Sequence, residues 1–520
     1  MIESICPGCS IGCGLYVIKD GDRIDIDFRK RSPVNEGKLC KFGVQLPRFY
    51  SKEQAKPMIK EGDNQKEVES ETAIEEAAKK LKEVRDGSGA DSIAFVAGGL
   101  ATNEELVSLK GLADALGCSN IECGLGKFSS IGSEAFKLGI PLEDVNNAKN
   151  IVMIFVDLHV QYPLLTRNLL KAKENGAKVL SIGTEENRAA DRTVLVGPGE
   201  QTTKLQSLVR YLKDKSGDGD FDGVESFFED SVIIADLNAL SDVEIVKAIC
   251  NINAQTNSRL LFMKPYANLS GAAMLEFTSK EGGIDGLLSE IDEGKIKALY
   301  ILESDLVGTS LDEEKVIETL SKLDLLIVQN ALKGATSDLA DLLLPNDLFF
   351  GKRGSVINAE GRVLSNRGDG TSGIDVLGKI AEAAGGKKID YEAAQAQVLE
   401  TLGISEIDED KIPLKRDEKK VEVDMGEAQT MAGEHFLVLK TNPFFWNGMV
   451  DKNVVELNIS NVKRLGLCKG ENISIKSNGS AESIKFKVSD LPENVVISEA
   501  KLSLAKELVS EIGLERLQSD

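Results

Sequence analysis

Hydrophobic positions along this chain change their rhythm three times. Near the start they come in short alternating bursts. Tyr16-Val17-Ile18 and Ile24-Asp25-Ile26-Asp27 flank the turn Asp20-Gly21-Asp22, which predicts a small antiparallel sheet. From about residue 72 the spacing becomes helical over 73–85 and then gives way to the run Ser92-Ile93-Ala94-Phe95-Val96-Ala97. Gly98-Gly99 leads to a helix opening at Thr102, with Asn103, Glu104 and Glu105 in its first turn, where acidic groups favour the dipole. The same beat returns at Ile151-Val152-Met153-Ile154-Phe155-Val156, a helix over 163–175 ended by Gly176, and the strand 178–182. It returns again at 298–302, 311–323 and 325–328. Runs that are apolar at every position read as strands covered on both faces. Repeated strand–helix–strand units predict parallel sheets with crossover helices.

Between about 385 and 430 this regularity lapses. Glu406-Ile407-Asp408-Glu409-Asp410-Lys411 and Lys415-Arg416-Asp417-Glu418-Lys419-Lys420 read as a solvated linker. Beyond His435 the chain turns strand-rich, at 436–439, 472–475, 484–488 and 494–497, which predicts a small separate β domain. A length of 520 residues agrees with three or four domains.

Cysteine placement brings in the chemistry. Four of the eight cysteines lie in the first forty residues, as Cys6-Pro7-Gly8-Cys9-Ser10-Ile11-Gly12-Cys13 and Gly37-Lys38-Leu39-Cys40. In a reducing compartment such clustering points to metal rather than disulfides. Zinc ribbons usually offer two paired knuckles, whereas here three thiols crowd together and a fourth arrives alone. That arrangement suits a [4Fe–4S] cubane, which takes one thiolate per iron; zinc is the other candidate. Gly8 and Gly12 let the backbone curl closely between the ligands. Lys38 and Lys41 are expected to moderate the charge of such a cluster. Cys118, Cys250 and Cys468 read as small buried hydrophobes.

Net charge narrows the partners. The sum of −22 argues against a nucleic-acid groove, which needs clustered Lys and Arg. No apolar run reaches the roughly 18 residues of a spanning helix, and Cys6 follows Met1 too closely for a signal peptide, so a cytoplasmic protein without membrane insertion is expected. With only His159 and His435, chemistry requiring several imidazoles is excluded, and neither histidine has a plausible triad around it.

The cysteine spacing and the phrase Pro33-Val34-Asn35-Glu36-Gly37-Lys38-Leu39-Cys40 resemble the cluster domain of the molybdopterin oxidoreductase superfamily, which includes formate dehydrogenases and the large iron–sulfur subunit of respiratory complex I. Thr102-Asn103-Glu104-Glu105, Tyr162-Pro163, Asn175-Gly176-Ala177-Lys178, Ala267-Asn268 with Gly271-Ala272, Thr336 to Pro345, and Gly354-Ser355-Val356-Ile357-Asn358-Ala359-Glu360-Gly361-Arg362 are similar to that family's blocks in the right order. The resemblance implies a multidomain α/β fold: a small antiparallel iron–sulfur domain at 1–55, an α/β domain at 56–145 plus about 330–385, and a Rossmann-like domain at 146–329. The linker at 386–430 and a barrel-like β domain at 431–520 complete it.

Departures from the family pattern bear on function. Active formate dehydrogenases hold molybdenum or tungsten between two pterin dinucleotides, with a Cys or selenocysteine ligand followed by His. The matching stretch here is Asn120-Ile121-Glu122-Cys123-Gly124-Leu125-Gly126-Lys127-Phe128-Ser129, with Lys127 and Phe128 where ligand and histidine should stand. Lysine supplies no soft anionic ligand, and Phe shuttles no proton. Cys123 serves only if the register slips by four residues; otherwise it is a buried thiol. Where the family carries Asp-Pro-Arg, this chain has Gly183-Thr184-Glu185, and an acid there repels a pyrophosphate. The lysine expected two positions after the fourth cysteine is replaced by Phe42, with Lys41 one step early, and the terminal histidine phrase is reduced to Pro443-Phe444-Phe445-Trp446-Asn447.

Gly98-Gly99 and Gly361 read as sheet-edge turns rather than phosphate cradles. Asn358, Glu360 and Arg362 either contact a pterin or form a buried polar network. The expectation is an electron-transfer subunit with a [4Fe–4S] cluster on Cys6, Cys9, Cys13 and Cys40, Lys41 beside it, no catalytic residue and molybdopterin guanine dinucleotide doubtful. Its partners would be flavin- and iron–sulfur-containing redox subunits. The alternative is a working molybdenum or tungsten bis-pterin oxidoreductase of formate dehydrogenase type.

Overall fold

The computed structural model describes every residue except 63, 133–135, 217–218, 279–281, 417–419, 429, 451–453, 478 and 518–520. It divides into two units, one of residues 1–133 and 264–416, the other of 134–263 and 417–520.

In the first unit the alternating N-terminal bursts form a meander of Ile2–Ile5, Gly14–Asp20 and Arg23–Phe28, paired antiparallel. The apolar runs build a seven-stranded sheet in the order Asn64–Glu67, Met58–Glu61, Leu342–Pro345, Leu325–Asn330, Ala298–Leu302, Ile93–Ala97, Ile121–Glu122. Its central strands are parallel, and every residue of Ile93–Ala97, Ala298–Leu302 and Leu325–Asn330 is buried, as their lack of alternation requires. Each such Leu, Ile, Val or Phe contributes roughly 1.5–3 kcal/mol.

The expected boundary near 329 is therefore corrected. Ala298–Leu302 pairs along its whole length with Ile93–Ala97, so residues 264–329 belong with the N-terminal half rather than with the domain expected at 146–329. Periodicity reveals strands but not which neighbour they pair with.

The order in which successive strands are added reverses between the parallel strands Ile93–Ala97 and Ala298–Leu302, the kind of switch point where open α/β sheets place ligands at the carboxyl ends of strands. A Cβ on Gly98 would stand 1.9 Å from the Glu303 carbonyl oxygen, so the two backbones approach too closely here for any residue but glycine. Glu303 itself adopts φ +50, strained for a residue with a side chain. Its Oε1 accepts from the Ala331 N–H (3.1 Å), Asn346 Nδ2 (2.7 Å) and Lys352 Nζ (3.0 Å). Lys352, 2% exposed, also reaches Glu105 Oε2 at 2.9 Å. Burial lowers its proton affinity, but the two carboxylates offset this and leave it above the ordinary lysine value. Burial raises the Glu303 carboxyl against the pull of Lys352.

The expected linker is also corrected. Within it, Tyr391–Leu402 is a helix, capped by Asp390 accepting from the Ala393 N–H and closed by Gly403 at φ +66. Its buried residues Tyr391, Ala394, Val398 and Leu402 recur at helical spacing. Glu409 is buried rather than solvated: Arg29 donates to its Oε2 at 2.6 Å and the Ser365 N–H to its Oε1 at 2.8 Å. Part of the second charge run, 417–419, lies outside the described residues.

The second unit holds a parallel five-stranded sheet in the order Arg192–Leu195, Lys178–Gly183, Asn150–Ile154, Ser231–Asp236, Ser258–Met263. It also holds a closed six-stranded barrel of His435–Leu439, Val495–Ser498, Val454–Leu457, Ser480–Val488, Asn472–Ser477 and Val509–Arg516. Among the described residues no helix is long and apolar enough to cross a membrane.

Candidate metal centre

The cysteine loop is tied at both ends and in the middle. The Cys6 N–H donates to the Cys13 carbonyl at 2.8 Å, closing the loop, and the Gly12 N–H donates to Cys9 at 3.3 Å. Gly12 adopts φ +73, and a Cβ there would fall 2.6 Å from Leu364 and 3.1 Å from Asn358. Ser10 is held from two sides. Its N–H donates to the Lys264 carbonyl (2.9 Å), its Oγ accepts from the Lys264 N–H (2.8 Å), and its carbonyl accepts from the Ala359 N–H (2.7 Å). The Tyr266 N–H reaches the Gly8 carbonyl at 3.3 Å.

Asn35 brings the fourth cysteine back. Its Oδ1 accepts from the Gly14 N–H at 2.9 Å, while its Nδ2 donates to the Gly14 and Lys38 carbonyls. Cys40 then stands at the start of the helical turn Lys41–Val44. Lys41 is exposed there, and Phe42 is buried against Phe49.

Cys6, Cys9 and Cys13 are buried, and Cys40 is half-buried. Burial pushes the first three thiols up, Cys9 to about 12, and the neighbouring cysteine charges add to the effect. Four thiolates in a shared buried space repel one another and need a cationic load. Among the described residues no three His, Cys, Asp or Glu side chains converge tightly enough to grip a single ion. A cubane, which gives each iron its own thiolate, suits such a set.

Three of the blocks that carried the resemblance, at 102–105, 267–268 and 354–362, mesh into a buried network beside this loop. Asn358 Nδ2 donates to the Ile11 carbonyl at 3.0 Å, and its Oδ1 accepts from the Glu360 and Arg362 N–H groups. Arg362 joins Glu360 at 2.8 Å and the Glu409 carbonyl at 2.7 Å. Asn268 accepts from the Ile357 N–H and donates to Asn103 Oδ1 and the Ala101 carbonyl. Glu104 takes both the N–H and the hydroxyl of Ser355, and Thr102 with Glu105 forms a capping box. Burial raises the Glu104 carboxyl to about 7.

A second buried group involves residues that sequence reasoning passed over. Lys264 is wholly buried, with Nζ 3.3 Å from Ser270 Oγ. Burial pulls it down to about 7, the Arg416 charge adds to this, and Cys123 opposes it. Cys123 is buried and pushed up by burial and by Glu122. Glu122 Oε1 accepts from the Gly124 (2.7 Å) and Gly126 (2.8 Å) N–H groups, while its buried Oε2 has no hydrogen-bond partner among the described residues. Burial raises this carboxyl to about 7. Phe128 is fully buried, and the Lys127 ammonium lies 5.3 Å from its ring centroid. Lys264 ends an apolar strand run, a signal that could have singled it out; Glu122 carries none.

In the second unit, strand ends at the sheet's reversal carry acids. Asp157 (2.8 Å) and Glu185 both hold Lys440 Nζ. Asp236 accepts from the Tyr162 hydroxyl and from Asn238 at 2.5 Å, and burial raises it to about 6. His159 is exposed, and His435 pairs with Asn461 at 3.1 Å.

Four clustered thiols on a doubly wound scaffold define an iron–sulfur protein built like an oxidoreductase. The chain belongs to the molybdopterin oxidoreductase family: that family's model matches residues 55–392, and the model of its Fe4S4 domain matches residues 1–51, so the cofactor of the N-terminal domain is a [4Fe–4S] cluster. F420-dependent formate dehydrogenase subunit alpha of Methanocaldococcus jannaschii is 28% identical, over 76% of this chain and 72% of the relative. F420-dependent formate dehydrogenase 2 subunit alpha of Methanococcus maripaludis is 24% identical over 95% and 93%. NADPH-Fe(3+) oxidoreductase subunit alpha of Geobacter sulfurreducens is 23% identical over 72% and 55%. Acetylene hydratase from Pelobacter acetylenicus shares the fold alone, with a TM-score of 0.67, 12% identity and coverage of 96% and 92%.

Proposed function

We propose that this chain is the electron-carrying iron–sulfur subunit of a larger cytoplasmic oxidoreductase, with Cys6, Cys9, Cys13 and Cys40 as cluster ligands and no working molybdenum or tungsten site. The observation that carries this reading is the pairing of an intact four-cysteine loop with a ligand stretch given over to packing. Phe128 is buried in the core and Lys127 lies over its ring, so neither offers an anionic sulfur or a proton carrier. Asp157 and Glu185 share the single Lys440 ammonium, and the negative charge left over would oppose a pyrophosphate. The residues at these positions do not fit a pterin dinucleotide.

A bound cluster supplies one-electron carriage at a potential set by hydrogen bonds and solvent exposure. The chain's own part is to bury three of the thiols, fix the loop through Ser10 and Ile11, and exclude water. Partner subunits are implied, because three relatives are named as alpha subunits; we infer that the partners carry flavin and iron–sulfur centres. Lys41, exposed beside Cys40, would face such a partner and temper the cluster charge.

A second reading, an active formate dehydrogenase-type enzyme, is favoured by Cys123 lying within reach of the Lys264 charge beside the unpartnered Glu122 oxygen. Metal analysis of anaerobically purified protein separates the two. The relay reading expects four irons per chain and only trace molybdenum or tungsten. Stoichiometric molybdenum or tungsten that disappears in Cys123→Ser, together with formate oxidation, would overturn it.

A further inference from the structure

Of the four N-terminal cysteines only Cys40 is half-buried, so a cluster held by them comes nearest to solvent on that side. Two short helical turns follow it, Lys41–Val44 and Leu46–Tyr50, and the Val44 N–H donates to the Cys40 carbonyl at 3.1 Å. Phe42, Leu46, Phe49 and Tyr50 are buried. Lys41, Val44 and Arg48, three and then four residues apart, are exposed instead and form one row. Val44 is 54% exposed, with a cation on either side of it in this row. Charge here runs against the rest of the molecule. Residues 28–52 hold seven Lys and Arg and one acid, Glu36, although the whole chain sums to −22. Arg29 is buried against Glu409, and the other six are exposed or half-buried. Gly37, at φ +76, would place a Cβ 3.0 Å from the Lys30 Cα, so Lys30 and Arg31 lie beside the loop that delivers Cys40. The acids in and around this stretch are engaged: Glu36 pairs with Lys38 at 3.4 Å, Asp27 accepts from the Phe28 N–H at 2.7 Å, and Glu53 pairs with Lys333 at 3.4 Å.

We propose that this face, with Val44 flanked by Lys41 and Arg48 beside Cys40, docks a redox protein whose contact surface is rich in Asp and Glu, an assignment that rests on the electron-carrying role above. An apolar centre is what a contact buries, and charges around it steer the encounter. Screening makes the local sign decisive. At an ionic strength of about 0.15 M the field of a charge fades within about 8 Å, so an arriving partner responds to the cations beneath it rather than to the distant acids behind the net charge. One electron crosses the contact, lost by the cluster and gained by the partner's centre, or the reverse, and no proton moves on the docking side chains.

The test is stopped-flow oxidation of the whole chain, reduced with dithionite and then freed of it, by two one-electron acceptors: plastocyanin, an acidic copper protein, and cytochrome c, a basic haem protein. Raising the salt from 0.1 M to 1 M shortens the reach of charge from about 10 Å to about 3 Å and should slow plastocyanin reduction about fivefold. At 0.1 M salt, Lys41→Glu with Arg48→Glu should slow plastocyanin about tenfold and speed cytochrome c. Lys79→Glu with Lys322→Glu, the same change in net charge on exposed lysines of the same unit, should leave both rates within about twofold. A plastocyanin rate that rises with salt overturns the proposal, because net charge then governs the encounter. So does a Lys41–Arg48 variant that slows both acceptors alike, or that slows plastocyanin no more than the Lys79–Lys322 variant does. If the Lys41–Arg48 variant binds no iron, the salt response of native protein decides alone. Native protein that lacks four irons, or that reduces neither acceptor, defeats the electron-carrying role rather than the choice of partner.

Discussion

Replacing Lys352 with Met removes the cation between Glu105 and Glu303 while leaving a side chain of similar length in the core. The three charged groups are 2%, 4% and 6% exposed, so water cannot take over the role of the ammonium. Breaking a buried ion pair by deleting one partner costs about 3–5 kcal/mol. Asn346, which donates to both acids at 2.7 Å, remains and keeps the loss toward the lower end. Glu303, already raised by burial, can escape charge by taking a proton. At about 2–4 °C per kcal/mol for a large domain, the melting temperature at pH 7.5 should fall by about 6–15 °C. The sign with pH follows from linkage. Without Lys352 the Glu303 carboxyl rises further above its unfolded value, so the variant is most handicapped at high pH and recovers as pH falls. Thermal unfolding followed by circular dichroism at pH 7.5 and 5.5 measures both effects, and Lys352→Met with Glu303→Gln should regain part of the loss. A variant within about 2 °C of native at pH 7.5, less than one kcal/mol, would refute the reasoning, as would a deficit that grows toward acid.

Other consequences are equally direct. Gly12→Ala should at least halve the iron bound per chain, because φ +73 and a contact of 2.6 Å to Leu364 both oppose a Cβ; native iron content by colorimetric assay would contradict this. Arg29→Met strands the Glu409 carboxylate, and urea unfolding should show a loss of about 3 kcal/mol, with Glu409→Gln milder. Asp236, raised by burial from 3.8 to about 6, should contribute stability at low pH that is lost as pH climbs through 6. Asp236→Asn should therefore flatten the fall in urea midpoint between pH 4.5 and 7, and an unchanged slope would count against it.

Much of the architecture was legible in the chain because buried parallel strands are apolar throughout. Ile93–Ala97 and Ala298–Leu302 lie within runs that sequence reasoning marked, and Asn150–Ile154 overlaps a third at Ile151–Ile154. What periodicity could not reveal was partnership. Nothing local to Ala298–Leu302 says that it pairs with Ile93–Ala97, some two hundred residues earlier, so the expected division of the middle of the chain was misplaced. The cysteines stood out by spacing, whereas their supports did not. Glu409 sits in an acidic run whose other members face water, and only its distant partner Arg29 sets it apart. Lys264 likewise acquires meaning from residues that the fold, and not the chain order, brings near.

The grip on Ser10 has a consequence for biosynthesis. Two of the strands of chain that hold it, at Lys264 and Ala359, leave the ribosome long after the cysteines do. The nascent N-terminus therefore lacks these supports, its thiols open to oxidation, until just over two-thirds of the polypeptide has been made. Iron–sulfur delivery accordingly belongs to a late stage of synthesis or after it, and a product truncated before residue 358 should emerge from cells colourless.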